Sequence, residues 1–126
     1  MSLRTPLAEV RGLGSARQGA HHWWMQRITA VMLVPLFIWF IGTMVTVVTG
    51  SHAEVAELIR SPIIAGALLT LIITIFYHAA LGLQVVIEDY VSAEGTQLGA
   101  IIVMRFILGL LAAISVVSVF KVAMGG

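Results

Sequence analysis

The chain carries, between Pro62 and Ile87, the run PIIAGALLTLIITIFYHAALGLQVVI, which contains no formally charged residue. Its 26 residues exceed the roughly 20 that a helix needs to cross the hydrocarbon layer of a membrane. A single histidine, His78, lies about 24 Å from the start of this helix, at about 1.5 Å of rise per residue. An ionisable side chain at that depth is energetically costly and marks a candidate functional site.

The composition of the whole chain is that of a membrane protein. Hydrophobic residues make up 60% of the 126 residues and charged residues 10%, whereas soluble domains are roughly half apolar and a quarter charged. We therefore expect one membrane domain over residues 1–126, with no room for a soluble catalytic domain. The net charge of +1 gives no support to nucleic-acid binding. Because the chain has no cysteine, iron–sulfur ligation and thiolate metal sites are excluded within it.

Three long apolar runs predict an all-α integral membrane protein with three transmembrane helices. The spans are expected at about residues 28–49, 62–87 and 99–120, because each run meets the length requirement. The runs are continuously apolar and do not alternate, which argues against a β-barrel. Residues 1–27 are rich in arginine and have no apolar core of their own, so we expect a retained cytoplasmic segment rather than a cleaved signal.

Basic residues are distributed unevenly between the two sides of the predicted helices. Five fall in the N-terminal segment or near the second connector, and two fall on the opposite side. They are Arg4, Arg11, Arg17, Arg27 and Arg105 against Arg60 and Lys121. Since positive charge accumulates on the cytoplasmic side, the N terminus is predicted to be cytoplasmic and the C terminus periplasmic. Arg27 and the segment 88–90 are then expected to share the cytoplasmic interface.

The surroundings of His78 on its helix allow three roles. Gly82 falls close to the His78 face, and Asp89, eleven residues after His78, returns to within about 20° of it. Gly82 leaves space for a flat ligand such as haem or for a closely packed helix. A neutral imidazole can ligate haem iron, hydrogen-bond a neighbouring helix or relay protons. The other histidines lie outside the predicted spans, so a second axial histidine would have to come from another polypeptide.

Two stretches of the sequence carry a family resemblance. One reads YHAALG over residues 77–82 and is followed by Asp89-Tyr90, and the other reads GAHHWWMQRITA over residues 19–30. With the three spans and the length, they make the chain resemble the small, D-type membrane anchor of succinate dehydrogenase (respiratory complex II). The resemblance covers essentially the whole chain. It implies a non-catalytic subunit, because succinate chemistry needs a flavin domain for which this chain has no room.

The resemblance also implies cofactors and partners. It implies that His78 is an axial ligand of haem b and that a larger, C-type anchor supplies the other ligand. Asp89 and Tyr90 would belong to the ubiquinone pocket, where the tyrosine hydroxyl bonds a quinone carbonyl. The remaining implied partners are an iron–sulfur subunit, a flavoprotein subunit and membrane lipid. The location expected is the bacterial cytoplasmic (inner) membrane rather than the mitochondrial inner membrane.

Each candidate residue also has a simpler interpretation. Tyr90 could be an interfacial aromatic anchor, and Asp89 a solvated helix end, although an acid is mildly unfavourable at a helix C-terminus. Arg27 either anchors its helix at lipid headgroups or pairs a haem propionate or polarises the quinone region. His21 is a weaker candidate for the same propionate contact.

Two alternatives remain for the chain as a whole. It could be a small proton- or cation-coupled transporter with His78 as its relay, although such pathways usually show several polar groups facing each other at mid-membrane. It could also be a homodimeric b-type cytochrome in which two copies of His78 hold one haem.

Overall fold

The computed structural model describes residues 5–10 and 16–126. They form five helices: α1 (Pro6–Val10), α2 (Ala16–Thr49), α3 (His52–Arg60), α4 (Pro62–Tyr90) and α5 (Glu94–Ala123). Helices α2, α4 and α5 have 34, 29 and 30 residues and are long and apolar enough to cross a membrane. The predicted all-α, three-span architecture is confirmed.

The three long helices extend beyond the predicted spans. Helix α2 begins at Ala16 rather than at residue 28, α4 ends at Tyr90 rather than at 87, and α5 begins at Glu94 rather than at 99. The predicted limits follow the apolar runs, whereas a helix continues for as long as its backbone hydrogen bonds continue, so each helix can extend past its run. Arg4 and Arg11, which contribute to the predicted orientation, lie outside the described residues.

The connector between the first two spans is itself a short helix, α3. It begins with a capping box, in which the Ser51 hydroxyl accepts from the Glu54 backbone N–H and the Glu54 carboxylate accepts from the Ser51 N–H. Reciprocal bonds of this kind satisfy backbone donors that the first turn leaves free. Pro62 then occupies the first turn of α4, where its missing N–H is not needed.

Helix α4 is the centre of the fold. It packs against α2 on one side and α5 on the other, and α3 contacts both α4 and α5. Its buried residues are Leu71, Thr74 and Leu81, and Thr29 is buried on α2. The spacing of three and seven residues puts the α4 set on one stripe, with His78 between its members. Most other apolar side chains of the long helices are exposed, as expected where lipid or partner subunits cover them.

A chain of polar contacts joins α4 to α5 towards the end that carries Tyr90. Arg105 Nη2 donates to Gln84 Oε1 at 2.6 Å, and Gln84 Nε2 donates to Glu88 Oε1 at 2.8 Å. Gln97 Nε2 lies 3.0 Å from the Val91 carbonyl and 3.2 Å from that of Glu88. These bonds connect the start of α5 to the end of α4, so the two helices form a fixed antiparallel pair.

Candidate functional site

His78 lies at the interface between α4 and α2. Its imidazole is half-buried, and Nδ1 lies 2.9 Å from Thr29 Oγ1 of α2. Nε2 makes no hydrogen bond to a described residue. Because α4 has sixteen residues before His78 and twelve after it, the imidazole lies about 24 Å from one end of the helix and about 18 Å from the other. The ring therefore offers one free nitrogen near the middle of the span.

Two further polar side chains, those of His22 and Gln26, lie on the same face of α2 as Thr29. Gln26 packs against Gly82, where a Cβ added to the glycine would lie 3.5 Å from Gln26 Nε2. His22 Nε2 and Gln26 Oε1 are buried and have no hydrogen-bond partner among the described residues. Buried polar atoms are normally paired, so these two atoms are candidates for contact with a bound group or water.

Sequence reasoning missed His22, Gln26 and Thr29 as members of this site. A signal was available, because the spacings of four and three residues put all three within about 60° on one face of a helix. The predicted span begins at residue 28, so His22 and Gln26 fell before it, and no role was predicted for Thr29. The α2 helix begins at Ala16, so this face is continuous with the span.

The structure separates Arg27 and His21 from that face. Both side chains are exposed, and the Arg27 guanidinium carbon lies 5.3 Å from the centre of the Trp23 ring, a cation–π contact. Because Thr29 meets His78, Arg27 lies about 3 Å along the axis from the level of His78 and about 15 Å from that of Tyr90. Arg27 is therefore close in depth to His78. The sequence had suggested instead that Arg27 and Tyr90 lie at the same level.

Asp89 and Tyr90 are the last two residues of α4. Tyr90 is 85% exposed and Asp89 is also exposed, and neither makes a hydrogen bond or ion pair to a described residue. Asp89 lies on the His78 face of the helix, about 17 Å along the axis from it. Both side chains are thus accessible to a substrate or a partner at this end of α4.

A cleft of about 540 Å³ lies on the other side of α4, against α5. Its walls are mainly apolar, including Phe76, Ala80 and Leu108, and its polar end is formed by Gln84 and Arg105. The cleft and the His78–Thr29 contact use different faces of α4. It is therefore a feature separate from the histidine site.

Comparison with known proteins identifies the family. Residues 1–112 match the family model described as succinate dehydrogenase/fumarate reductase transmembrane subunit. A protein of Rickettsia bellii, named succinate dehydrogenase hydrophobic membrane anchor subunit, is 38% identical over 118 residues, which cover 93% of this chain and 94% of that protein. The chain belongs to this family. Its membership confirms the resemblance drawn from residues 77–82 and 19–30.

More distant relatives of this transmembrane subunit carry similar names. A Paracoccus denitrificans protein with the same name as the Rickettsia one is 30% identical over 98 residues, covering 78% of this chain and 75% of that protein. A Reclinomonas americana protein, named succinate dehydrogenase membrane anchor subunit, is 27% identical over 94 residues, covering 72% and 78%. The transmembrane subunit described here is accordingly a multi-pass membrane protein, in agreement with its three long apolar helices.

Proposed function

We propose that this chain is the membrane anchor of a succinate:quinone oxidoreductase, that it ligates haem b through His78, and that it forms part of the ubiquinone site. The family match and the names of the relatives support the anchor role. The single observation that carries the haem assignment concerns the two ring nitrogens of His78, near the middle of α4. Nδ1 is hydrogen-bonded to Thr29, and Nε2 is free to bind a metal.

The residues around His78 fit a haem. Imidazole nitrogen is a common ligand of haem iron, and Gly82, one turn away, lets the polar side chain of Gln26 pack closely beside the His78 face. The unpartnered atoms of His22 and Gln26 provide polar contacts on the side of His78 that leads to Tyr90. When bound, haem b supplies a one-electron carrier within the membrane. The chain contributes the ligating imidazole and the contact with Thr29 that orients it.

A second protein ligand for the haem iron would come from outside this chain. His78 is the one histidine of the described residues within the central part of a spanning helix, since His21 and His22 lie near the start of α2 and His52 lies on α3. A larger, C-type anchor is the proposed source, and a second copy of this chain is the alternative. Arg27 lies close enough in depth to His78 to contact a haem propionate after leaving Trp23, and His21 is a further candidate.

The proposed quinone residues are Asp89 and Tyr90. Reduction of a quinone to a quinol needs two electrons and two protons, the protons being delivered to its two oxygens. A phenol donates a hydrogen bond to a carbonyl, and an adjacent carboxylate at the water boundary can hold and pass on a proton. The exposure of both side chains and their lack of internal partners leave them free for these contacts.

The proposed partners follow from the anchor role. An iron–sulfur subunit and a flavoprotein subunit would dock at the end of the bundle that carries Tyr90, and lipid would cover the exposed apolar faces. The proposed location is the bacterial cytoplasmic membrane. Because this chain has no cysteine, electrons would reach it from the iron–sulfur subunit.

The test is replacement of His78 in the intact complex. His78→Ala should remove or strongly weaken the low-spin haem b signal in a reduced-minus-oxidised spectrum, because one axial bond is lost. His52→Ala, on the exposed helix α3, is the matched control and should leave the spectrum unchanged. Full haem content with an unaltered spectrum in His78→Ala would disprove the assignment.

A further inference from the structure

Thr29 is one of the few buried side chains of the described residues, with 5% of its surface exposed. Its Oγ1 has three polar neighbours: the carbonyl oxygens of Met25 and Gln26 at 2.7 and 3.1 Å, and His78 Nδ1 at 2.9 Å. A hydroxyl has one proton to donate and two lone pairs that can accept. The direction in which Thr29 donates this proton determines which imidazole nitrogen of His78 carries hydrogen.

The two carbonyl contacts determine where the hydroxyl proton lies. Carbonyl oxygens have no hydrogen, so an approach of 2.7 Å between Thr29 Oγ1 and the Met25 oxygen needs the threonine proton between them. If that proton pointed to His78 instead, a lone pair of Thr29 Oγ1 would face a lone pair of the Met25 oxygen at 2.7 Å. The hydroxyl therefore donates to its own helix and accepts from His78. The hydrogen between Thr29 and His78 belongs to Nδ1.

We infer that Thr29 is the positioning residue of the haem ligand: it holds His78 as the Nδ1–H tautomer and directs the lone pair of Nε2 towards the iron. This inference rests on the proposed haem site. Without an acceptor for Nδ1–H, the ring could turn about its side-chain bonds or carry its hydrogen on Nε2, where it would block ligation. A bond from Nδ1–H to an oxygen also makes the ligating nitrogen more electron-rich, which favours the ferric state.

No other described side chain hydrogen-bonds the His78 imidazole. The hydrogen bond to Thr29 is the single one that the His78 imidazole makes to a described residue. Gln26, one turn before Thr29 on the same face of α2, packs against Gly82 instead. Loss of the Thr29 oxygen would therefore leave Nδ1–H without a partner inside the helix interface.

The experiment compares Thr29→Val, Thr29→Ser and Thr43→Val in the assembled complex. Valine keeps the branched shape of threonine and removes the oxygen, and serine keeps the oxygen. Thr43 lies on the same helix and donates only to the carbonyl of Trp39, at 3.0 Å, so Thr43→Val measures the effect of losing a hydroxyl that bonds to its own helix. Haem per complex, the midpoint potential and the electron paramagnetic resonance spectrum of the ferric haem are measured for each.

Thr29→Val should weaken haem binding by about 10-fold, as loss of a partner of a ligating histidine typically does. The midpoint potential should move to a more positive value and the ferric spectrum should broaden, because the ring is no longer held in one orientation. Thr29→Ser should restore all three properties, and Thr43→Val should match the unmodified complex. If Thr29→Val does not assemble, Thr29→Ala serves for the same comparison with Thr29→Ser.

The outcomes separate this inference from the proposed function. If Thr29→Val and Thr43→Val give the same potential, spectrum and haem content while His78→Ala loses haem, then His78 is the ligand and Thr29 does not position it. If His78→Ala keeps its haem, the proposed haem site itself is wrong. A potential that Thr29→Ser fails to restore would also overturn the inference, since serine retains the accepting oxygen.

Discussion

Gly82 of α4 lies directly against Gln26 of α2, with 3.5 Å between the position of an added Cβ and the Gln26 amide nitrogen. That distance is an ordinary van der Waals contact. A methyl group would therefore fit, but a longer side chain would displace Gln26 or occupy the face that His78 shares. This relationship predicts different results for small and large substitutions.

Gly82→Ala should retain nearly normal haem content, whereas Gly82→Leu should lose most of it. Leucine adds three heavy atoms beyond the Cβ to a face that is already in contact, and overpacking of this kind costs about 1–3 kcal/mol. Haem per assembled complex, measured by absorbance, is the readout. Gly66→Leu is the matched control. Gly66 is on the same helix as Gly82, but a Cβ added there would have no atom of another residue within 4 Å. Equal haem content in Gly82→Leu and Gly66→Leu would show that Gly82 is not close to the cofactor.

The three transmembrane helices could be predicted from the sequence because their signal is local and long. A run such as Pro62–Ile87 is too apolar to be stable in water, and in a membrane it forms a helix because a helix satisfies its backbone hydrogen bonds internally. The ends of the helices could not be located in the same way, since a helix that leaves the membrane changes composition without changing its hydrogen bonding. Helix α3 was missed for a related reason. It is too short for a hydropathy signal, and its capping box at Ser51 and Glu54 was not read.

His78 could be identified from the sequence because an ionisable residue inside an apolar run is rare. Its partner Thr29 could not, since threonine in a membrane helix usually donates to its own backbone and gives no sign of a second contact. The pairing depends on the register between α2 and α4, which is set by packing between helices. The same register places Arg27 near the depth of His78, whereas run lengths alone had put it level with Tyr90.

The Arg105–Gln84 hydrogen bond should contribute measurably to the packing of α5 on α4. A double-mutant cycle with Arg105→Met and Gln84→Leu is expected to give a coupling energy of about 1 kcal/mol, somewhat above the average for polar contacts in membranes because the donor is charged. The free energy of unfolding in mixed micelles is the measurement. The cycle carries its own control, since additive effects of the two substitutions would mean that the 2.6 Å contact contributes nothing.

The capping box of α3 predicts a pH-dependent helix end. The hydrogen bonds that Glu54 accepts from the Ser51 backbone N–H and then from its hydroxyl hold the pKa of Glu54 below its ordinary value of 4.5. A lowered pKa means that the folded form favours the ionised carboxylate, so the cap is fully formed above pH 4.5 and is lost as the pH falls through the lowered pKa.

Ser51→Ala should raise the pKa of Glu54 towards 4.5, because the hydroxyl donor is removed, and it should fray the first turn of α3. Nuclear magnetic resonance titration of the Glu54 side-chain carboxyl measures the shift. Ser61→Ala provides the comparison, since Ser61 precedes α4 without a side-chain capping bond. If Ser51→Ala and the unmodified chain give the same titration curve, the Ser51 hydroxyl does not lower the pKa of Glu54.

The distribution of basic residues predicts the orientation of the bundle. A reporter fused after Gly126 should be active on the periplasmic side, and one inserted near Glu94 should be active in the cytoplasm, because basic residues concentrate at the cytoplasmic side. Paired reporters that are active on opposite sides of the membrane make the assay internally controlled. The reverse pattern would place Tyr90 and the end of α4 on the side away from the proposed soluble subunits.

Tyr90→Phe should separate the quinone site from the haem site. The substitution removes one hydroxyl and keeps the ring, so anchoring at the interface should persist. If the hydroxyl bonds a quinone carbonyl, its loss removes roughly 0.5–1.5 kcal/mol of net hydrogen bonding, and more if the carbonyl is left buried without a partner. Succinate-dependent quinone reduction should then fall several-fold, while transfer to an artificial acceptor that draws electrons from the soluble subunits should stay near normal. The haem spectrum should be unchanged, since Tyr90 lies about 18 Å along α4 from His78.

Tyr77→Phe is the matched control for Tyr90→Phe, because it removes the same hydroxyl from the same helix next to His78, far from the exposed end. It should leave quinone reduction near normal. Asp89→Asn should lower quinone reduction as Tyr90→Phe does, with a steeper dependence on pH if the carboxylate passes protons to the quinone. If Tyr90→Phe reduces quinone as fast as Tyr77→Phe and the unmodified complex, the tyrosine is an interfacial anchor and the quinone site must be formed by other residues.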